Sequence, residues 1–120
     1  MGKNKQVGDH GERLASAWLS QKGYEEVERN ARMRGAEMDL IMRRGQEWLF
    51  VEVKTRRLGN ASSAPEDVHP RQVYRLGRFI ESYVTRRQIE DWRLLLVCVV
   101  LEPTRTRIYS IELTESLDVG

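Results

Sequence analysis

Glu52 and Lys54 are charged residues near the end of an apolar run that begins at Trp48. Side chains on a strand alternate between its two faces, so these two residues share one face with Trp48 and Phe50. Because the other face of the run is apolar as well, the pattern predicts an interior strand. A charge buried there is costly without a partner, so Glu52 and Lys54 need each other, a metal ion or a ligand.

Asp39 is a third charged residue that a predicted hairpin brings close to this pair. Two runs of strand-forming residues, Glu37–Met42 and Trp48–Thr55, flank the link Arg43–Gln46, whose glycine suits a tight turn. Asp39 then lies on the strand next to the one that carries Glu52.

The position of Asp39 depends on the register of this hairpin. With the turn centred on Arg44 and Gly45, Asp39 faces Phe50 and is the diagonal neighbour of Glu52 on the same side of the sheet. A turn longer or shorter by one residue would move it to the opposite face. In the first register the two residues lie about 7 to 8 Å apart, which lets their carboxylates share a metal ion.

The donor set of this predicted site is hard oxygen. Carboxylates with a neighbouring backbone carbonyl suit Mg²⁺ or Mn²⁺, which keep some water and accept substrate phosphate as further ligands. Zinc fits poorly, because the one cysteine and the two histidines are scattered along the chain.

Lys54 is unusual in this composition. The chain has sixteen arginines and four lysines, and Lys54 is the only lysine after Lys22. A lysine is a compact point charge that can approach a water molecule or a phosphoryl oxygen, which a guanidinium cannot do in the same way.

The elements that position these residues follow from periodicity and from turn residues. Besides the hairpin, the sequence predicts two helices, at Asp9–Lys22 and from His69-Pro70 to about Thr85, and three strands, at Tyr24–Arg32, Arg93–Leu101 and Thr106–Leu113. The order αβββαββ predicts an α/β fold in which helices flank one mixed β-sheet. If the strands on either side of the second helix are parallel, their crossover is expected to be right-handed.

Length and apolar content limit the number of domains and the class of protein that this sequence can form. One hundred and twenty residues fit a single domain, with a core at about residues 8–113 and mobile ends at 1–7 and 114–120. The small-residue stretch Leu58–Pro65 predicts a mobile loop. The longest apolar run, Leu94–Leu101, is too short to cross a membrane, and Cys98 within it predicts a core thiol in a reducing cytoplasm.

Charge is unevenly distributed although the net charge is only +2. Residues 29–57 carry eight basic and four acidic side chains, which favours a polyanionic partner near the hairpin. The arginines expected to contact phosphates are Arg56 and Arg57 after the site, and a stripe on the second helix, Arg71, Arg75 and Arg78. The alternative for the stripe is an ordinary solvated face.

Several motifs together carry a resemblance to a known family. They are Gly11-Glu12 with Leu14-Ala15, Gly23-Tyr24, Arg29-Asn30, Glu37-Met38-Asp39-Leu40-Ile41, Leu49 to Arg56, and the arginine-containing helix after Val68. Over about residues 8–100 the chain resembles the YraN-like family of small bacterial proteins. That family is assigned to the PD-(D/E)XK superfamily and is similar to archaeal Holliday-junction resolvases.

This resemblance implies a restriction-endonuclease-like fold and a Mg²⁺-dependent or Mn²⁺-dependent endonuclease. It makes Asp39 and Glu52 the metal-binding carboxylates and Lys54 the group that orients or activates the attacking water. Glu12 matches a helical acid that completes such sites, and Glu37 is the other candidate for a third acid. Glu37 could equally be the cross-strand partner of a basic residue.

The implied substrate is nucleic acid, with DNA expected and branched DNA among its forms. The resemblance to resolvases also implies a homodimer. Departures from the family pattern include Ala36 in place of glycine, Arg71 in place of lysine, and Leu95 in place of an acid. They leave open an alternative, a catalytically inactive module that keeps the nuclease fold and binds nucleic acid or protein.

Overall fold

The computed structural model describes residues 2–58 and 68–117. Its elements are α1 (Gly2–Ser20), β1 (Glu25–Met33), β2 (Ala36–Arg44), β3 (Glu47–Arg57), α2 (Pro70–Arg87), β4 (Asp91–Leu101), β5 (Thr106–Glu112) and a 3-10 turn at Thr114–Leu117. The mobile loop predicted at Leu58–Pro65 lies, after its first residue, outside the described residues.

The five strands form one mixed sheet in the order β1-β2-β3-β4-β5. β3 and β4 are parallel and are connected through α2, whereas all other neighbours are antiparallel. The predicted α/β class, the element order αβββαββ and the mixed sheet flanked by helices are therefore confirmed. β3 is an interior strand, as its two apolar faces indicate.

The helices cover opposite faces of the sheet. Ala15 and Leu19 of α1 pack with Leu49 and Val51 of β3, while α2 packs against the face that carries Phe50. β4 is buried on both faces from Leu94 to Val100, and its Cys98 is fully buried, as predicted. Among the described residues, no helix is long and apolar enough to cross a membrane.

α2 begins where the sequence predicts. Pro70 occupies the first turn, and the His69 side chain caps the helix because its Nδ1 accepts a hydrogen bond from the Arg71 amide at 3.1 Å. The residues buried on its inner face are Leu76, Phe79, Ile80 and Tyr83. The predicted Val73 and Val84 are only half-buried.

α1 begins earlier than predicted. The sequence pattern predicts a helix that begins at Asp9, whereas the helix in the structure begins at Gly2. The Asp9 carboxylate lies 3.5 Å from the ammonium group of Lys5, one turn earlier in the helix. Residues 2–7 therefore continue the helix, and the 3-10 turn extends the folded part beyond residue 113 at the other end. Both lie outside the core boundaries that the sequence suggests.

The predicted register of the β2–β3 hairpin is wrong by two residues. The pairs are Arg44 with Glu47 and Leu40 with Val51, so the turn residues are Gly45 and Gln46. Arg44 ends β2 instead of entering the turn, because its guanidinium pairs with Glu47 at 3.0 Å. An even shift leaves the paired residues of β2, Leu40 to Arg44, on their expected faces.

Gly11 lies where α1 crosses β3. It is buried, and a Cβ placed there would overlap the hydroxyl oxygen of Thr55 and lie 2.9 Å from the Thr55 Cβ. A residue without a side chain thus allows the close approach of α1 to β3. The same approach brings the next residue, Glu12, to the end of β3.

We expect Gly11→Ala to lower the free energy of unfolding by about 1–3 kcal/mol, because the added methyl group must displace Thr55. Gly8→Ala is the matched control in the same helix, since nothing lies within 4 Å of a Cβ there. Alanine's higher helix propensity should make that variant up to about 1 kcal/mol more stable than the parent. Denaturant unfolding measures both, and equal effects of the two substitutions would contradict the close approach.

Candidate functional site

The site forms where β2 and β3 separate. Their pairing ends at Leu40 and Val51, and beyond it the Asp39 side chain replaces the ladder, because its Oδ2 accepts a hydrogen bond from the Val53 amide at 2.8 Å. The alternation of faces also breaks here. Met38 packs on the α2 side of the sheet, whereas Leu40 packs on the α1 side. The change of face occurs at Asp39, which stands between Met38 and Leu40.

Glu52 lies beside this separation on the face covered by α2. It is only 5% exposed. Its Oε2 accepts a hydrogen bond from Gln72 Nε2 of α2 and lies 3.6 Å from Lys54 Nζ. Lys54 Nζ also lies 3.4 Å from Gln72 Oε1. The predicted pairing of Glu52 and Lys54 on one strand face is therefore present, with Gln72 bridging the two.

Glu12 approaches from α1, on the other side of the sheet. Burial and, after it, the charge of Asp39 raise the pKa of Glu12 to about 7, against the opposing effect of a hydrogen bond with Asn30. Within the described residues its Oε1 is buried without a hydrogen-bond partner. Glu12 thus contributes an acceptor oxygen that is free to bind a ligand.

The three acids crowd one another electrostatically. Burial, followed by the charge of Glu52, raises the pKa of Asp39 to about 8. Burial also raises the pKa of Glu52, against the opposing effects of its hydrogen bond with Asp39 and of the nearby Lys54 charge, and Glu12 adds to the increase. A cluster of this kind gains when protons or a cation neutralise it.

The carboxylates suit a divalent cation bound through oxygen. Mg²⁺ is commonly held by one or two carboxylates together with water and substrate phosphate, and Asp39 and Glu52 provide that pair. In the described part of the chain, no group of three or more His, Cys, Asp or Glu side chains is arranged to hold a metal.

Glu37, the other candidate for a third acid, lies apart from the cluster. It is exposed and sits opposite Arg32 of β1, whose guanidinium is 3.6 Å from its carboxylate. This is the cross-strand pairing that the sequence left open as an alternative.

The predicted phosphate-binding arginines divide into two groups. Arg56 and Arg57 follow Lys54 at the end of β3, the first half-buried and the second exposed. Arg71, Arg75 and Arg78 are exposed on α2 and line one groove, together with Arg34 of the β1–β2 turn. Sequence reasoning did not single out Arg34.

Gln72 is the site residue that the sequence analysis missed. A signal was available, because Gln72 stands four residues before Leu76 and therefore continues the buried stripe of α2 towards its start. A polar residue at such a position needs a partner, and Glu52 and Lys54 are those partners.

Leu95, the position at which the family pattern has an acid, lies outside this cluster. Leu95 pairs with Val51 and packs in the core under α1, on the face opposite Glu52. The departure from the family pattern therefore removes no carboxylate from the Glu52 face.

A family model describes most of the chain. The model of the uncharacterised protein family UPF0102 matches residues 11–101, a range that contains Glu12, Asp39, Glu52 and Lys54. The chain belongs to the UPF0102 family. This confirms the resemblance to the YraN-like family that the sequence motifs carry.

Other UPF0102 proteins match over much of their length. The Shewanella woodyi protein is 38% identical over 86 residues, covering 72% of this chain and 74% of its own. The Syntrophomonas wolfei protein is 34% identical over 110 residues, covering 90% and 96%. Among solved structures, an Archaeoglobus fulgidus Holliday junction resolvase, Hjc, aligns with a TM-score of 0.42 and 18% identity over 91% of this chain and 89% of its own.

We expect Asp39→Asn to stabilise the metal-free protein increasingly as pH rises. The pKa of Asp39 is about 8 in the folded chain, against an ordinary value of 3.8, so the folded state holds this proton more tightly than the unfolded state. Stability from this group is therefore lost as pH rises from about 4 through 8, by up to about 1.4 kcal/mol per pH unit. Asparagine has no carboxyl proton to lose, so the variant keeps its stability over this pH range.

Urea unfolding in EDTA at pH 5 and at pH 8.5 measures the effect. The exposed Glu90→Gln is the matched control and should run parallel to the parent. If the advantage of Asp39→Asn were the same at both pH values, the proposed crowding of the carboxylates would be wrong.

Proposed function

We propose that this UPF0102 protein is a metal-dependent nuclease that hydrolyses phosphodiester bonds, with DNA as its substrate. The observation that carries the proposal is the pair of the half-buried Asp39 and the buried Glu52 beside Lys54, at the point where β2 and β3 separate. Two oxygen donors for a metal ion and one ammonium group suit phosphodiester hydrolysis, and the arginine-lined groove on α2 suits the phosphates of a nucleic acid. The cytoplasmic location and the homodimer stay predictions.

Asp39 and Glu52 would hold the cation, Mg²⁺ or Mn²⁺. When bound, such an ion lowers the pKa of its water and stabilises the charge that develops on the phosphate. The Val53 amide holds Asp39 in place through Oδ2. Gln72 and Lys54 hold Glu52 in the same way through Oε2.

Lys54 would orient the attacking water and stabilise negative charge on the phosphate. Its side chain is 35% exposed, whereas that of Glu52 is 6% exposed, so the ammonium group lies at the boundary between the buried Glu52 and solvent. Glu12 Oε1, which is buried without a partner among the described residues, would accept a hydrogen bond from a water on the α1 side of the cluster. With a pKa of about 7, Glu12 can take up a proton near neutral pH.

One observation favours the alternative of an inactive binding module. Glu52 already receives a hydrogen bond from Gln72 and lies near Lys54, so part of its charge is compensated without a cation. Such a module would bind nucleic acid in a salt-sensitive manner and would not cleave it.

We expect Glu52→Ala to abolish metal-dependent cleavage and Lys54→Ala to lower its rate by about 100-fold or more. The assay uses labelled single-stranded, duplex, nicked and four-way-junction DNA with Mg²⁺, Mn²⁺ or EDTA. Glu12→Gln should also reduce the rate, whereas Glu37→Gln should keep it, because Glu37 pairs with Arg32 away from the cluster.

Thermal unfolding with Mn²⁺ provides a readout that is independent of cleavage. Binding of the ion should raise the melting temperature of the parent protein and leave that of Glu52→Ala unchanged. Cleavage that survives in Glu52→Ala would refute the assignment of the site. Binding of DNA by the parent without cleavage in any metal would instead establish the inactive module.

A further inference from the structure

A groove with a volume of about 680 Å³ lies between the β1–β2 turn and the first half of α2. Its walls carry four arginines and one exposed tyrosine, which are Arg34, Arg71, Arg75, Arg78 and Tyr74. None of the described residues that line it is acidic. We call this feature the arginine groove.

No ion pair in the described part of the chain compensates the positive charge of the arginine groove, and the acid beside Arg34 and Arg78, Glu81, lines the neighbouring pocket. Within residues 2–58 and 68–117, none of the four guanidinium groups forms an ion pair with a carboxylate. Arg71, Arg75 and Arg78 follow one helix face over about 10 Å, and Arg34 faces them from the turn. That length corresponds to about three nucleotides of one strand.

Arg34 occupies a turn position that normally favours another residue. It has a φ of 52° and the following Gly35 a φ of 77°, so the two form a tight hairpin turn in the left-handed region. Asparagine is the residue that such turns prefer there. The turn geometry therefore does not explain the arginine. A positive side chain at this position would instead favour a polyanionic ligand in the groove.

Tyr74 distinguishes this groove from a simple basic face. Its side chain is 64% exposed, although tyrosine carries a large apolar ring, and it lies among the arginines of the groove. Aromatic side chains stack on nucleic-acid bases, with about 1–3 kcal/mol for each base. Bases in a duplex are already stacked on their neighbours, so the ring of Tyr74 fits an unpaired base.

Both walls of the arginine groove are neighbours in sequence of the site formed by Asp39, Glu52 and Lys54. Arg71 precedes Gln72, whose side chain contacts both Glu52 and Lys54. On the opposite wall, Ala36 stands three residues before Asp39 on the same strand. This placement favours a path of the nucleic acid from the groove towards the two carboxylates.

We propose that the arginine groove binds a short unpaired strand of DNA, with its arginines on the phosphates and Tyr74 stacked on a base. This inference rests on the proposed nuclease function and specifies its substrate. The DNA that is cut at Asp39 and Glu52 carries a few unpaired nucleotides beside the scissile bond, as an overhang or flap does. A blunt duplex lacks the part that Tyr74 recognises.

Fluorescence anisotropy in EDTA tests the groove separately from cleavage. The probes are a labelled blunt duplex and the same duplex with a four-nucleotide single-stranded overhang. The full-length protein should bind the overhang more tightly. Tyr74→Ala should weaken overhang binding by about tenfold and leave blunt-duplex binding within about twofold, because only the overhang presents an unpaired base. Tyr74→Phe keeps the ring and should retain the affinity.

Arg34→Asn tests the charge of the groove without damage to the turn, since asparagine suits that position. It should weaken overhang binding and lower the slope of log affinity against log salt by about 0.7. Arg105→Gln is the matched control. It removes one exposed arginine next to β5, at the sheet edge opposite β1, and should leave the slope unchanged.

Two results would overturn the inference: equal affinity of the parent for both probes, or unchanged overhang binding by Tyr74→Ala. Absence of binding to either probe would overturn it as well. Cleavage is then measured with Mn²⁺ on the same probes. Selective overhang binding without cleavage would refute the nuclease and keep the groove, whereas cleavage without any dependence on Tyr74 would keep the nuclease and refute the groove.

Discussion

The hydrogen bond from the Val53 amide to Asp39 is the interaction on which the site depends. A β-ladder has no space for a side chain between its strands, so β2 and β3 must separate for a carboxylate to replace a backbone carbonyl. The pairing ends at Leu40, and the side chains of β2 no longer alternate regularly between the two faces beyond it. Asp39 therefore lies between Glu12 on one side of the sheet and Glu52 on the other, and its charge interacts with both. Burial raises the pKa of each of these acids, so a proton or a cation would stabilise the cluster.

Most of the architecture could be predicted because local patterns and tertiary packing agree. Pro70 after His69 and the stripe from Leu76 to Tyr83 specify α2, and the continuous apolar run in β4 requires cover on both faces. The hairpin register was wrong because Gly45 can take either position of a two-residue turn, and the Arg44–Glu47 pair decides between them. The start of α1 was missed because residues 2–8 have no apolar periodicity.

The strand residues of the site were predictable, but their environment was only partly so. Glu52 and Lys54 are conspicuous in an apolar strand, whereas the contacts of Gln72 depend on how α2 docks, which no local pattern encodes. Arg34 and Tyr74 come together only in the folded chain, since forty residues separate them in sequence. Long-range juxtaposition of this kind follows from topology, and sequence spacing does not reveal it.

The parallel pairing of β3 with β4 has a consequence for the rate of folding. Paired residues of these two strands, such as Glu47 and Asp91, stand forty-four positions apart in sequence. Closing so long a loop costs entropy before the contacts that compensate for it can form. The β3–β4 pair therefore raises the contact order of the chain, and folding is expected to be slower than in a helical protein of the same length.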